Sequence, residues 1–321
     1  MKATANADEF DIIRRIIKTL DNYSLPKADL PIGDDCAYYM EQISCLDILQ
    51  EDVHFSLKYF SFHDIGYKAL AANLSDIAAM GGKPVCALVG LSLPPYVSTE
   101  NIQEIFDGMA SLAVKHKCAI VGGDISKGPK LALSVAVIGK ATDSNLLLRS
   151  NAKEGDILAV SGVLGLSHLG LKTLSKDLPI AASLQTKLRQ AHLHPEPRLN
   201  LGKMLVKSGI RCAIDCSDGF LADVGHILDA SKLGIILNIN DMPLDSQALA
   251  FFGRKITLNA ALSGGEDYEL IFSASPEHLS RIKDLVSTPI TAVGTFTKEN
   301  IGQIRDINGC IIERKGYKHF G

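Results

Sequence analysis

Apolar residues fall at Phe10, Ile13, Ile16, Ile17 and Leu20, the three- and four-residue spacing of a helix, with Asp8 placed to cap its start. From about Asp64 to Met80 the chain is apolar and rich in alanine (Ala69, Ala71, Ala72, Ala78, Ala79). That pattern predicts a closely packed helix, stopped at Gly81-Gly82. A third helix is predicted from Ser98 or Thr99 to about Lys117, and the short apolar runs 86–93, 119–121 and 131–138 read as strands. After a polar stretch at 140–156 the mixture repeats. Strands are expected at 157–160, 213–214, 235–239, 269–272 and 290–293. Helices are expected after Gly162, from Pro197 to near Gly209, and over 218–231. Helices and strands intermingle throughout, so the class is α/β or α+β. The polar stretch divides the chain into expected domains 1–142 and 143–321, and 321 residues is about two domains' length.

Composition narrows the function classes. Hydrophobic content is 46% and charged content 21%, as in a globular protein with a full-sized core. The 33 basic and 36 acidic residues give a net charge of −3, without the basic excess of a sequence-independent nucleic-acid binder. No general positive field would gather phosphates, so local devices must hold them. Seven cysteines with no CxxC pair argue against a disulfide framework. The start, MKATANADEF, lacks an apolar signal core, and no apolar run reaches the ~18 residues of a membrane span. The expected compartment is the cytoplasm.

The chemistry lies in aspartates set beside glycines or at element ends: Asp34-Asp35 in IGDDCA, Asp47 in CLDILQEDVHF, Asp76 in NLSDIAAMGG, Asp124 in VGGDISKGP, and Asp215 and Asp218 in AIDCSDG. Taken singly, such residues are turn formers or helix caps. Asp76 is different, because a carboxylate inside an apolar helix needs a partner or a metal. Jointly they suit a hard cation such as Mg²⁺, which bridges carboxylates to substrate phosphates. The sequence has no GxxxxGK[ST] loop, no GxGxxG after a strand, and no kinase HRD or DFG triplet, so the common nucleotide sites are excluded. Gly122-Gly123 could admit a phosphate to the backbone. Lys127 and Arg149 are candidate phosphate cations.

These motifs, in this order, resemble the thiamine-monophosphate kinase family of the superfamily that includes aminoimidazole ribonucleotide synthetase. The matching segments are GDDCA (33–37), D-I-L-x-E-x-V-H-F (47–55), YKALAANLSDIAAMGGKP (67–84), GGDxSxGP (122–129), RSNAKEGD (149–156), HPEPRLNLG (194–202), AIDCSDGFLADVGHIL (213–228), SGGEDYELIF (263–272) and GYKHF (316–320). The resemblance implies a two-domain fold of the aminoimidazole ribonucleotide synthetase type. The N-terminal sheet would pair across a homodimer, and the C-terminal α/β domain would close the site. It implies ATP and thiamine monophosphate as substrates, and several Mg²⁺ ions. Asp35, Asp47, Asp76, Asp124 and Asp215 would be metal ligands, with Asp218 on a further ion and positions Cys45 and Leu46 beside the metals. Gly123, Asp124, Arg149 and Ser217 would contact ATP. His54, Glu266 and Tyr317 would contact thiamine monophosphate, whose thiazolium cation favours a carboxylate and an aromatic face.

This chain departs from the family pattern in three places. Cys45-Leu46-Asp47 replaces Ser-Thr-Asp, which removes a hydroxyl. Asp52 replaces a glycine. Ile125-Ser126-Lys127 replaces Thr-Thr-Arg, which keeps the charge but loses the bidentate fork. The implied mechanism is direct in-line transfer with no catalytic side chain, since a phosphate monoester is already largely anionic near pH 7, its second pKa being ~6. Two other readings are a sister ATP-using enzyme of the superfamily and a non-catalytic nucleotide-binding homologue. A hydrogenase-maturation dehydratase would need a C-terminal cysteine where this sequence ends Lys318-His319-Phe320-Gly321.

Overall fold

The computed structural model describes residues 9–317 apart from 25, 27, 31, 143, 144 and 177. The expected cap Asp8 and residues 318–320 of the GYKHF motif lie outside the described residues. The first half contains α1 (Glu9–Leu20), β1 (Ala37–Tyr39), β2 (Gln42–Gln50), α2 (Phe62–Ala79), β3 (Gly82–Leu93), α3 (Thr99–His116), β4 (Ala119–Lys127) and β5 (Ala132–Ala141). The second contains β6 (Ile157–Ser161), α4 (Leu166–Ser175), α5 (Ala182–Leu193), α6 (Leu199–Lys207), β7 (Cys212–Asp215), α7 (Phe220–Ser231), β8 (Gly234–Leu237), α8 (Ser246–Ser263), β9 (Leu270–Ala274), α9 (Pro276–Leu285), β10 (Ile290–Thr297), β11 (Ile304–Asp306) and β12 (Ile311–Ile312). Among the described residues there are two sheets, ordered β1-β2-β5-β3-β4 and β12-β11-β8-β10-β6-β9-β7. Pairing is antiparallel except at β3–β4 and β11–β8.

The helix expected from about Asp64 begins at Phe62, where Ser61 and Asp64 form a reciprocal cap. The third helix begins at Thr99 as expected, and Ser98 with Asn101 forms the same kind of cap. Lys117 ends α3 in the left-handed conformation. Small residues let α2 sink into its neighbours: a side chain at Gly66 would meet the Ile105 carbonyl at 1.8 Å, and one at Gly108 the His63 carbonyl at 2.0 Å. One hydrophobic core runs through both halves, from Ile43 and Ile77 to Leu205 and Phe272.

Several expectations shift. The strand predicted at 119–121 continues to Lys127, so Gly122-Gly123-Asp124 is strand rather than turn. The helix expected from 218 begins at Phe220 and is capped by Gly219, with Asp223 accepting from the Gly219 N–H at 3.0 Å. Asp218 therefore does not cap it. Three helices, α5, α8 and α9, were not expected. In α8 the period breaks at Gly253, whose φ is 77°. In β2 the outward positions Leu46 and Ile48 are apolar and the inward position 47 is Asp, which hides the alternation.

Candidate active site

A cleft of about 1300 Å³ opens along α2, β2, the Arg149 turn, the β7–α7 connection and the α8–β9 connection. That exceeds the ~300–1,000 Å³ of a single small-ligand pocket. It has room for two substrates.

Its most charged wall gathers carboxylates from four separate segments. One oxygen each from Asp35, Asp76 and Asp215 lies within 4.8 Å of the other two. Asp35 precedes β1, Asp76 is on α2 and Asp215 ends β7. Asp47 faces the same side as buried Ile43, Cys45 and Leu49, and its N–H donates to Asn73 Oδ1 of α2 at 3.2 Å. Burial and then the charge of Asp47 push the Asp76 carboxyl well above its ordinary value. Burial and then Asp35 push Asp215 up to about 7, against a 2.6 Å hydrogen bond from Ser75 Oγ. Burial and then Asp35 bring Asp47 to about 6. Arg149 supplies part of the balance: its Nη2 donates to Asp35 Oδ1 at 2.7 Å and its backbone N–H to Asp34 Oδ1 at 3.0 Å. A carboxylate cluster held together against its own repulsion, with oxygen donors only, fits a hard divalent cation.

A second part of the cleft carries Glu266, His54 and Tyr317. Glu266 sits at φ 69° and Tyr268 at φ 52°, left-handed backbone that costs non-glycine residues about 1–3 kcal/mol each. Lys68, fully buried on α2, meets Glu266 Oε1 at 2.7 Å, and His192 Nδ1 lies 3.6 Å from Oε2. Burial works against the Glu266 carboxylate, but Lys68, His192 and His54 together outweigh it and hold the group below its usual range. Burial drives His192 down to about 3, so it stays neutral. His54 Nδ1 accepts from the Gln50 N–H at 3.0 Å, so neutral His54 presents its proton on Nε2 as a donor. Tyr317 is tied to the β7–α7 connection through its N–H to the Asp218 carbonyl, 2.9 Å.

The structure therefore brings Asp35, Asp47, Asp76, Arg149, Asp215, Ser217, Asp218, His54, Glu266 and Tyr317 to one cleft. Leu46 borders it too, but strand alternation turns its side chain, 60% exposed, away from the face that Asp47 occupies. A hydroxyl at position 46 would face the same way, so only the Leu46 carbonyl could serve ions beside Asp47. The Cys45 thiol is buried and contacts the Asn73 carbonyl at 3.3 Å.

Gly123 and Asp124 do not line the cleft. Gly123 lets edge strand β4 approach β3: a side chain there would meet the Val89 carbonyl at 1.8 Å. Asp124 is in register with Gly90, between buried Val89 and Leu91, and so belongs to the opposite, uncovered face of the first sheet. Asp47 pairs with Val135, Val135 with Val89, and Val89 with Gly123. Three strand steps at about 4.8 Å each put β4 roughly 14 Å from β2. The sequence reading missed Lys68, His192, Asp223 and His226. The last two, with Asp218, form another carboxylate–imidazole group on the cleft wall. A lysine amid the alanines of α2 was the one available signal.

The thiamine-monophosphate kinase of Bacillus subtilis (strain 168) is 37% identical over 330 residues, covering 98% of this chain and 99% of the relative. The protein of the same name in Escherichia coli (strain K12) is 35% identical over 324 residues, covering 97% and 98%. The chain belongs to the thiamine-monophosphate kinase family. The family described as AIR synthase related protein, N-terminal domain, matches residues 33–141, the span of the first sheet. The solved structure of AaThiL complexed with AMPPCP and TMP superposes with a TM-score of 0.87 at 30% identity, covering 100% of this chain and 99% of that one. The fold class expected of the family is the one observed.

Proposed function

We propose that the cleft transfers the γ-phosphoryl group of ATP to the phosphate of thiamine monophosphate, giving thiamine diphosphate and ADP. The observation that carries this is the convergence of Asp35, Asp76 and Asp215 oxygens within 4.8 Å in a site where burial raises the carboxyls of Asp76 and Asp215. A terminal phosphate oxygen of thiamine monophosphate attacks the γ-phosphorus, and the bond to the β,γ-bridging oxygen breaks. The attacking oxygen is already anionic, so no side chain removes a proton. Asp35, Asp47, Asp76 and Asp215 would hold Mg²⁺, with Asp218 on a further ion. When bound, Mg²⁺ neutralises the phosphate charge that bare carboxylates would repel. Arg149 and Ser217 face the ATP phosphates. Glu266, held ionised by Lys68, faces the thiazolium; His54 donates from Nε2, and Tyr317 offers its ring.

Asp124 and Gly123 enter this reading through a second copy. The uncovered face of the first sheet exposes Leu46, Ile48 and Leu88, and the β4 edge exposes Val121 and Ile125, an apolar surface of the kind that marks an interface. A second chain laid over it would carry its own Asp124 and Gly123 toward this chain's ATP site. We read the chain as two domains divided near residue 142, working as a homodimer in the cytoplasm. Among the described residues, no helix is long and apolar enough to cross a membrane, and all seven cysteines are free thiols.

The test is purified protein with ATP, Mg²⁺ and thiamine monophosphate, followed by chromatography. ADP and thiamine diphosphate are expected in equal amounts. Phosphorylation of free thiamine with thiamine monophosphate ignored would overturn the reading. For the second copy, mixed dimers of Asp76→Asn and Asp124→Asn chains should recover activity that neither variant has alone. No recovery in a confirmed mixed dimer would place Asp124 outside the shared site.

A further inference from the structure

Away from the cleft, ligand-type side chains gather where α2 meets the α5–α6 connection. His63 and Asp64 stand in the first turn of α2, and His194 directly follows α5. One ligand atom from each lies within 4.8 Å of the other two. None of the three lines the cleft.

The arrangement is more than proximity. His194 Nε2 is 2.7 Å from Asp64 Oδ1. That nitrogen is buried, and Asp64 Oδ1 is its close partner. The pair holds an imidazole nitrogen and a carboxylate oxygen side by side out of water, two donor types that a transition ion takes together. The neighbours are already set. Asp64 Oδ2 accepts from the Ser61 N–H at 2.9 Å, which fixes the carboxylate plane and turns Oδ1 to His194. The Tyr67 ring lies 4.7 Å from the His194 ring, and His63 meets His194 edge-on at 6.0 Å. Ser61 and Tyr67, neither of them a proposed ligand, stand where the outer partners of metal ligands stand.

We propose that His63, Asp64 and His194 form a binding site for a divalent transition ion of the zinc class. Two imidazole nitrogens and one carboxylate oxygen suit Zn²⁺, Co²⁺ or Ni²⁺, whereas Mg²⁺ favours all-oxygen sites. Water would take the remaining position. The carboxylate cluster of the cleft has the opposite preference, so the two sites sort their ions by donor chemistry. The ligands come from both halves of the chain: α2 packs with the first sheet, and His194 belongs to the half that carries the second. A bound ion would therefore fasten the two halves that enclose the cleft. This inference does not depend on which phosphate acceptor the cleft takes.

The test uses tag-free full-length protein with Mg²⁺ in large excess, so that the aspartates are occupied. Zn²⁺ binding is measured by calorimetry and Co²⁺ binding by visible absorption. A single ion per chain is expected, with Co²⁺ d–d bands and no thiolate charge-transfer band. His63→Gln and His194→Gln should each weaken binding by at least ~10-fold, the scale on which even the supporting partners of metal ligands act, and remove the Zn²⁺-dependent rise in melting temperature. Both variants should keep the wild-type circular dichroism and zinc-free turnover. His194→Cys supplies a ligand of another kind, so it should retain Zn²⁺ and add a thiolate charge-transfer band with Co²⁺. Failure of the wild-type protein to bind a stoichiometric ion, or equal affinity in the two glutamine variants, overturns the proposal.

Discussion

In one part of the cleft Asp35, Asp47, Asp76 and Asp215 face one another, with Arg149 beside Asp35 as a partial counter-charge. In another part a single carboxylate, Glu266, has a fully buried lysine at 2.7 Å and a neutral histidine at 3.6 Å. Both parts bury acids, yet their carboxyls shift in opposite directions: Asp76 and Asp215 rise, while Glu266 falls. The difference lies in whether the protein carries its own counter-ion. The aspartates are left short of positive charge, a deficit that solute cations and the phosphates they escort can fill. Glu266 is balanced before any ligand arrives and is held in strained backbone, so its role is to aim a fixed charge rather than to recruit an ion.

Removing one charge from each part tests the contrast, and the largest effect belongs to the aspartates. Asp76→Asn and Asp215→Asn should each lower turnover by at least ~10²-fold, since metal-mediated charge stabilisation contributes several kcal/mol. The fold should survive, because each change relieves repulsion. Near-normal steady-state rates in both variants would mean that the cluster is structural. Glu266→Gln should instead leave turnover for saturating substrates nearly intact. It should raise the Michaelis constant for thiamine monophosphate by roughly tenfold or more, the scale of a lost hydrogen bond to a charged group, with little change for ATP. Tyr317→Ala should do the same more weakly, about threefold, because Tyr317 is half exposed and exposed cation–aromatic contacts contribute only ~0.5–1 kcal/mol. A change confined to ATP would reverse the assignment of the two parts.

The contrast also has a pH signature. The Asp215 carboxyl titrates near 3.8 in the unfolded chain and at about 7 in the fold. The folded state therefore holds that proton more tightly. The stability it contributes is complete below about pH 4 and is lost as pH rises through about 7. Asp47 behaves likewise up to about 6. His192 and His226 act in the opposite sense, being kept neutral by burial, but they are common to parent and variant. In EDTA at pH 8, Asp215→Asn should melt at least ~3 °C above the parent, at about 2–4 °C per kcal/mol for proteins of roughly this size. The gap should close toward pH 5 and reverse in excess Mg²⁺. A gap independent of pH would show that Asp215 is ionised, and compensated, throughout.

How much of this was legible in the sequence follows the range of the interactions. The caps of α2 and α3 both rest on residues three apart; the start at Ser98 was readable, whereas Ser61 lies three residues before the start expected for α2. The motif aspartates were recognisable as a set, and all but Asp124 reach the cleft. Asp124 failed to join them because its place depends on sheet order, with β4 at the edge and β5 inserted between β2 and β3. Local pattern does not encode that order. Lys68 and Glu266 are paired across nearly two hundred positions, so neither could announce the other. The Asp218 cap failed for a smaller reason, since Gly219 begins the helix one residue later.

The smallest expected effect concerns Leu46. Its side chain and that of Asp47 leave β2 on opposite faces, so Leu46→Thr should leave the Mg²⁺ concentration for half-maximal rate within about twofold of the parent; the Leu46 carbonyl, the one group able to reach ions beside Asp47, survives the change, and a water can stand in for a neutral oxygen at ~0–2 kcal/mol. Stability should also hold, because a substitution at an exposed position usually costs less than about 0.5 kcal/mol. Two measurements decide the matter: rate against Mg²⁺ concentration, and thermal melting across a range of protein concentrations. A requirement several-fold lower in the threonine variant would place an ion on the uncovered face of the sheet. Within one chain the carboxylates that converge in the cleft lie on the other side of β2, so such an ion would have to be held by Asp124 of a second copy. Melting that then varies with protein concentration would support that arrangement, whereas an unchanged requirement confines the ions to the Asp47 face, even in a dimer whose melting varies with protein concentration.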